Sequence, residues 1–489
     1  MSSKNLKYQS SDGCLSDQIG VAELKKAFDH AHTKAVKGRK NYFSYTFAIP
    51  SVDPLAVLEQ HKITDQFQYY FEKPIDEFSI VAAGTVERIK TTGDDRFKEA
   101  SRNGKELISR VHHFTSVQHH LASIHLLGGF SFFDHNVGQD WRDFGAGSFT
   151  LPEWVLIKDG KVTLVTITIP LSDKDQFGDL RNNLFSILDR LDHLCQAKNY
   201  SLDTEKGTST QVDIPDQNSP AYKNWKQSVE TAIDLIEQDA FKKVVIARDL
   251  KVKLDRPVSD TAILHYLRRQ YPDCYSFLIR QNGESSFIGS TPERLASFRN
   301  RFVLTEGLAG SISRGKTASE DAKLEYELLH SQKDLSEHFY VLDAIEHNLE
   351  DFSDAVEHPD FPGIKKLSNV QHLYTPVRAK IKNGVSRTRV LEKLHPTPAV
   401  GGYPREDAIS YINKLESFER GWYAAPVGWI NARGEGEFVV AIRSGLIKKE
   451  EVKFFAGCGI VKDSDPQKEW EETNLKFIPM LTALEYARK

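Results

Sequence analysis

The chain has 489 residues, of which 40% are hydrophobic and 27% charged, with 64 basic against 68 acidic side chains and a net charge of −4. That length suits one large or two moderate cores, and the near-balance of charge argues against a dedicated nucleic-acid surface. No stretch approaches the ~20 uncharged apolar residues of a membrane span, and Cys14, Cys195, Cys274 and Cys458 form neither a CxxC pair nor a metal-ligand spacing.

From Met1 to Asp29 the chain mixes lysines, serines and acids without the apolar run of a signal peptide. Asp12, Asp17 and Glu23 would be unusual in an organelle transit peptide, so a cytoplasmic protein with reduced thiols is expected. Residues 1 to about 200 alternate strand-like and helix-like stretches. Lys161 to Ile169 predicts a strand with Val165, Ile167 and Ile169 on one face. Phe177 to Ala197 predicts a helix with Leu180, Leu184, Leu188 and Leu191 along a buried stripe. Ser201 to Pro220, rich in Gly, Ser, Thr, Asp and Pro, reads as a connection. It divides a 1–215 portion, expected to complete the sheets, from a 216–489 portion.

Beyond it, Tyr222 to Phe241 predicts a helix with Trp225, Val229, Ile233 and Ile236 inward, and Lys243 to Ala247 a short buried strand. Tyr275–Ile279 and Phe287–Ile288 predict strands joined at Asn282-Gly283. Residues 318 to 350 read as one long charged helix. Phe438–Ile447 and Val452–Ile460 read as two strands turning at Lys448 to Glu451. Ser464, Asp465 and Pro466 open a last helix running towards Leu484. Strand pairs interleaved with helices, without regular βαβ alternation, predict an α+β fold of mixed, largely antiparallel sheets.

Two helices carry acidic pairs at a spacing of three, Asp334 with Glu337 and Glu469 with Glu472, and Lys476 follows one turn later. Such carboxylates share a face. They oppose each other unless a cation or base intervenes, and oxygen-only ligation suits Mg²⁺. The competing reading is a charged face that simply meets water.

Several strings settle the matter towards chemistry. In order they are KVVIAR from Lys243, GSTPER from Gly289, LAGS from Leu308 with Arg314-Gly315, Lys333 to His338, HPTPAVGG from His395, YAAPVG from Tyr423, AIRS from Ala441, AGCGI from Ala456 and the Glu469 to Lys476 helix. Over residues 216 to 489 this series closely resembles the chorismate-binding family, which includes isochorismate, salicylate, anthranilate and aminodeoxychorismate synthases. The resemblance implies an α/β sandwich of two large, mainly antiparallel sheets with flanking helices and a deep cleft in the chorismate-binding half.

Within the family the pattern is most similar to isochorismate synthases, which move the C4 hydroxyl of chorismate out and a water-derived hydroxyl into C2. The resemblance implies Lys243 as base and Glu293 as acid. That chemistry needs a neutral amine and a protonated carboxyl, and a desolvated site pushes both in that direction. It implies Glu337 and Glu472 as Mg²⁺ ligands, with Asp334 and Glu469 as second carboxylates. Arg443, Lys476 and the backbone around Gly457 and Gly459 are expected to hold substrate anions. Tyr423 is expected at the enolpyruvyl carboxylate, unless it is a core tyrosine. His395, with Thr397 and Ala399 of the same string, is expected to line the ring site, unless its role is structural. Gly310 and Ser311 are expected to shape the floor. The competing partner for Glu293 is Arg294 or Arg248.

Lys243 speaks against the anthranilate branch, and Ala309 stands where the aminodeoxychorismate branch resembles it but carries a reactive lysine. Water is therefore the expected nucleophile and no glutamine amidotransferase subunit is expected. Salicylate synthases share the base, acid and metal residues, then eliminate pyruvate. A non-catalytic chorismate-binding paralogue would have lost some of these residues, and all are present. A quinone pathway is preferred over siderophore or salicylate formation because of the long N-terminal portion.

Overall fold

The computed structural model describes residues 14–61, 66–134, 138–197, 214–367 and 370–488. Residues 201–213 of the connecting stretch lie outside the described residues. The described strands form two large sheets, antiparallel except where Asn41–Ile49 runs parallel to Val111–Thr115. The twelve-stranded sheet runs from Gly402–Tyr403 through Lys243–Lys253, Glu451–Ile460, Ser444–Lys448, Ser285–Thr291 and Tyr275–Arg280 into strands that precede residue 172. The junction is the pairing of Tyr275–Arg280 with Gln68–Lys73. In the ten-stranded sheet the equivalent junction pairs Pro426–Asn431 with His125–Phe130. Residues on either side of 215 therefore share both sheets.

Strand alternation builds two cores, because successive side chains point to opposite faces. Tyr275, Phe277 and Ile279 enter the core between the sheets, while Leu278 turns to the other side. Tyr275 crosses to the second sheet, donating to Glu437 Oε1 at 2.8 Å. On the outer face of the larger sheet Val165, Ile167 and Ile169 meet Leu180, Leu184, Leu188 and Leu191, as their spacing predicts. Each such side chain fully buried is worth about 1.5–3 kcal/mol. The connecting helix spans Pro220–Glu237, capped by Ser219, and buries Trp225, Val229, Ala232 and Ile236. Ile233, as expected, packs against the same core, though only partly buried. All four cysteines are free. Among the described residues, no helix is long and apolar enough to cross a membrane.

Two elements differ from expectation. Residues 318 to 350 form two helices, Ala318–His330 and Gln332–Glu350. Ser331, with extended backbone, accepts a hydrogen bond from the Asp334 N–H and caps the second helix. The stretch read as one strand, Phe438–Ile447, is also two: Gly436–Val440 in the smaller sheet and Ser444–Lys448 in the larger. The chain passes between the sheets at Ala441 to Arg443, where Arg443 takes a φ of +49°.

Candidate active site

A second crossover lies beside the first. Ser285–Thr291 belongs to the larger sheet and Arg294–Arg299 to the smaller, so Pro292 and Glu293 step between them. The Val440 N–H donates to the Glu293 carbonyl at 3.1 Å, and the Ser290 N–H to the Arg443 carbonyl at 3.1 Å, tying the two steps together. Where the sheets exchange strands they part, and a cleft of about 240 Å³ opens. Its walls include Lys243, Glu293, Gly310, Ser311, Ala399, Tyr423, Arg443, Gly457, Gly459 and Lys476, along with the four carboxylates Asp334, Glu337, Glu469 and Glu472.

Lys243 begins its strand and is 2% exposed. Its Nζ donates to Glu337 Oε1 at 2.6 Å. Burial opposes the Glu337 charge, yet Lys243 holds that carboxyl below its ordinary range. Gly459 makes room for the lysine: a Cβ there would stand 2.6 Å from Lys243 Cε.

Glu293 is buried and pairs with neither Arg294 nor Arg248. Arg294 binds Glu437 and the Tyr275 hydroxyl. Arg248 binds Thr473 and Asn474 and lies over the Trp470 ring. What Glu293 accepts is the Thr397 hydroxyl, at 3.3 Å. Burial, then the nearby Glu306 charge, push the Glu293 carboxyl up to about 7, against weaker opposition from Thr397, Lys365 and Lys243. It is therefore poised to give and take a proton near neutrality.

The backbone also offers donors. The Val245 N–H goes to the Gly401 carbonyl and the Ala247 N–H to Glu416 Oε1, so neither points at its partner strand. Their opposite numbers in the antiparallel ladder are Gly459 and Gly457. In such non-hydrogen-bonded pairs both partners turn their amides outward. For these glycines outward is the side where the neighbouring strand has already ended, at Ser444 opposite Phe455. Lys476 Nζ reaches the same place, donating to the Gly457 carbonyl at 2.8 Å and Glu472 Oε1 at 2.7 Å. An ammonium has three N–H donors, so one stays available. The Arg443 guanidinium makes no hydrogen bond or ion pair among the described residues. The Tyr423 ring stacks on Phe455 at 5.1 Å, and burial raises its phenol's pKa.

His395 is placed differently from expectation. It does not line the cleft but packs edge-on against Phe132 at 5.2 Å, with Nε2 3.4 Å from the Phe132 carbonyl. Thr397 reaches the site only through Glu293. Ser311 is engaged by His372, Oγ to Nδ1 at 2.6 Å, and the buried His372 Nε2 is left without a partner at the cleft. Burial, then Arg443 and Lys476, push the His372 imidazole down to about 3, so it stays neutral.

Sequence reading missed His372, Lys365, Glu306 and the Glu416–Arg420 pair. The pair is 1% exposed on both sides, with Arg420 Nη2 to Glu416 Oε1 at 2.5 Å. Arg420 also donates to the Val400 and Val245 carbonyls at 2.8 Å each, joining the HPTPAVGG turn to the Lys243 strand. Its i,i+4 spacing was visible; nothing local marked the rest.

The four carboxylates make an all-oxygen donor set on two helices facing one cleft, which fits a hard divalent ion such as Mg²⁺. Burial and then the Glu472 charge raise the Glu469 carboxyl above its ordinary range. Among the described residues no three of these carboxylates converge within 4.8 Å, and Glu337 answers Lys243.

A profile described as chorismate binding enzyme matches residues 25–485. The chain is 34% identical over 449 residues to isochorismate synthase MenF of Bacillus subtilis, covering 90% of this chain and 93% of that one. It is 36% identical over 443 residues to the salicylate biosynthesis isochorismate synthase of Pseudomonas aeruginosa, covering 90% and 89%. The solved structure of MenF, the menaquinone-specific isochorismate synthase from Escherichia coli, superposes with a TM-score of 0.75 at 25% identity, covering 95% of this chain and 99% of that one.

Proposed function

The chain belongs to the chorismate-binding enzyme family, and on that premise we propose that it is an isochorismate synthase, an isomerase acting on chorismate. The observation that carries the reading is that the buried Lys243 and the buried Glu293, whose carboxyl is pushed up to about 7, stand on the walls of one cleft. Both relatives above are isochorismate synthases.

Lys243 Nζ, as the uncharged amine once it has left Glu337 and given up its proton, takes a proton from the water that attacks C2. Glu293 gives its proton to the C4 hydroxyl, which leaves as water while the ring double bonds shift. One water enters and one leaves, so the formula is unchanged. The Lys243 proton must then return to solvent and Glu293 be reprotonated before the next turnover. Matched proton transfer of this kind contributes about 10²–10⁴ in rate. Arg443, the available Lys476 N–H and the outward amides of Gly457 and Gly459 hold the substrate's anionic oxygens, and the Tyr423 hydroxyl joins them. Glu337 and Glu472, with Asp334 and Glu469 behind them, would hold Mg²⁺, which supplies counter-charge to the ring carboxylate. Ala309 lines the cleft where an aminating enzyme would need a reactive lysine. Water is then the nucleophile, with no amidotransferase subunit.

The test is incubation of the purified protein with chorismate and Mg²⁺, with separation of products. Isochorismate accumulating without salicylate or pyruvate is expected. Stoichiometric pyruvate would reassign the chain to salicylate formation, and unchanged chorismate would overturn the proposal.

A further inference from the structure

Away from the cleft, His119 and His120 stand between the Val111–Thr115 and His125–Phe130 strands, and their rings stack at 4.7 Å. Both Nε2 atoms approach one oxygen, Asp159 Oδ2, at 3.5 Å from His119 and 3.3 Å from His120. None of the three lines the active-site cleft. These contacts are long for charge-assisted N–H···O bonds, which run about 2.7–2.9 Å. They lie close to the separation that tetrahedral coordination imposes on neighbouring ligands at Zn–N and Zn–O distances near 2.0–2.1 Å, which is about 3.3 Å. One ligand atom from each of the three residues lies within 4.8 Å of the others.

His120 carries the feature that most favours a metal. Its Nδ1 lies 2.9 Å from Glu435 Oε2, leaving Nε2 to face Asp159. A carboxylate behind an imidazole fixes the tautomer and makes the other nitrogen a better ligand. We infer that His119, His120 and Asp159 form a zinc site, with Glu435 orienting His120 and solvent completing the fourth position.

Two imidazoles and one carboxylate are a borderline donor set, suited to Zn²⁺ rather than Mg²⁺. The guanidinium groups of Arg299 and Arg433 lie near and oppose a cation, and the Asp159 and Glu435 carboxylates offset them. Arg433 is also committed to the His119 and Ala122 carbonyls. Ligation through His119 Nε2 requires a proton on Nδ1, so the 3.3 Å contact from the Leu121 N–H opens when the ion binds. The ion has a structural consequence. Asp159 ends a strand of the larger sheet and Glu435 precedes Gly436–Val440 in the smaller, so it clips the two sheets together.

The test uses tag-free protein stripped with chelator, in excess Mg²⁺, with Zn²⁺ titrated against a chromophoric chelator. One equivalent is expected in the wild type and in Glu472→Gln, with an upward shift in melting temperature. It is lost in His120→Ala and Asp159→Asn, and binds about tenfold more weakly in Glu435→Gln. If His120→Ala fails to fold, Asp159→Asn at a partly exposed position decides alone. No equivalent in the wild type, or one that survives Asp159→Asn, overturns the site.

Discussion

Lys365 and Glu306 form a 2.9 Å ion pair that grips the chain on both sides of Glu293. Lys365 Nζ donates to the Pro292 carbonyl at 3.1 Å, and Glu306 Oε1 accepts the Arg294 N–H at 3.1 Å. The pair thus fixes the backbone of the proposed acid, and its two charges act on that acid in opposite senses.

A pH dependence follows from Glu293. Its folded pKa is raised from 4.5 to about 7, so in the free enzyme the acid is present below that pH and kcat/KM falls as pH rises through it. Glu306→Gln should move this alkaline limb to lower pH, and Lys365→Met should move it higher. The sign for stability is the same: a raised pKa favours the folded state below 4.5, and that advantage is lost by about pH 7. Relative to Glu293→Gln, the wild type should lose about 3 kcal/mol of stability over that window, measured by urea unfolding at several pH values.

Lys243→Ala should lower kcat by about 10²–10⁴ while Mg²⁺-dependent chorismate binding stays measurable by calorimetry. Retained turnover would remove the lysine from the mechanism.

Gly459→Ala tests placement rather than chemistry. The added Cβ meets Lys243 Cε at 2.6 Å and Nζ at 3.2 Å, at the far end of a flexible side chain. The fold should tolerate the change to within about 1 kcal/mol, while kcat falls by about 10² because the base is displaced. An unchanged kcat would show that Lys243 can act from elsewhere.

Glu472→Gln should weaken Mg²⁺ and chorismate binding together, raising the Mg²⁺ concentration needed for half-maximal activity. Unchanged Mg²⁺ dependence would count against the acidic helices as the metal site.

Arg420→Met leaves the Glu416 carboxylate buried beside the Ala247 N–H without its cation. Breaking such a pair costs about 3–5 kcal/mol, whereas replacing both partners with apolar residues is often near neutral. Denaturant unfolding of the single and double variants distinguishes these outcomes.

The motif strings, the apolar stripes of the Phe177–Cys195 and Pro220–Glu237 helices and the sheet-rich fold class were legible because they rest on local periodicity and on short ordered patterns. So were the acidic pairs, whose spacing of three puts them on one helix face. The Ser331 cap was not read, because the continuous charge of residues 318 to 350 made them look like one helix. The division of Phe438–Ile447 was not legible, since Ala441 to Arg443 carry no breaker and the crossing is imposed by which sheet each half pairs with. Nor was the partner of Lys243, since Glu337 lies 94 residues away, nor the grip of Lys365 and Glu306 on Glu293. Residue type and spacing determine what a segment can form and which groups it carries. Which carboxylate meets which amine, and how far burial shifts a proton, depend on contacts between distant segments that only the folded chain creates.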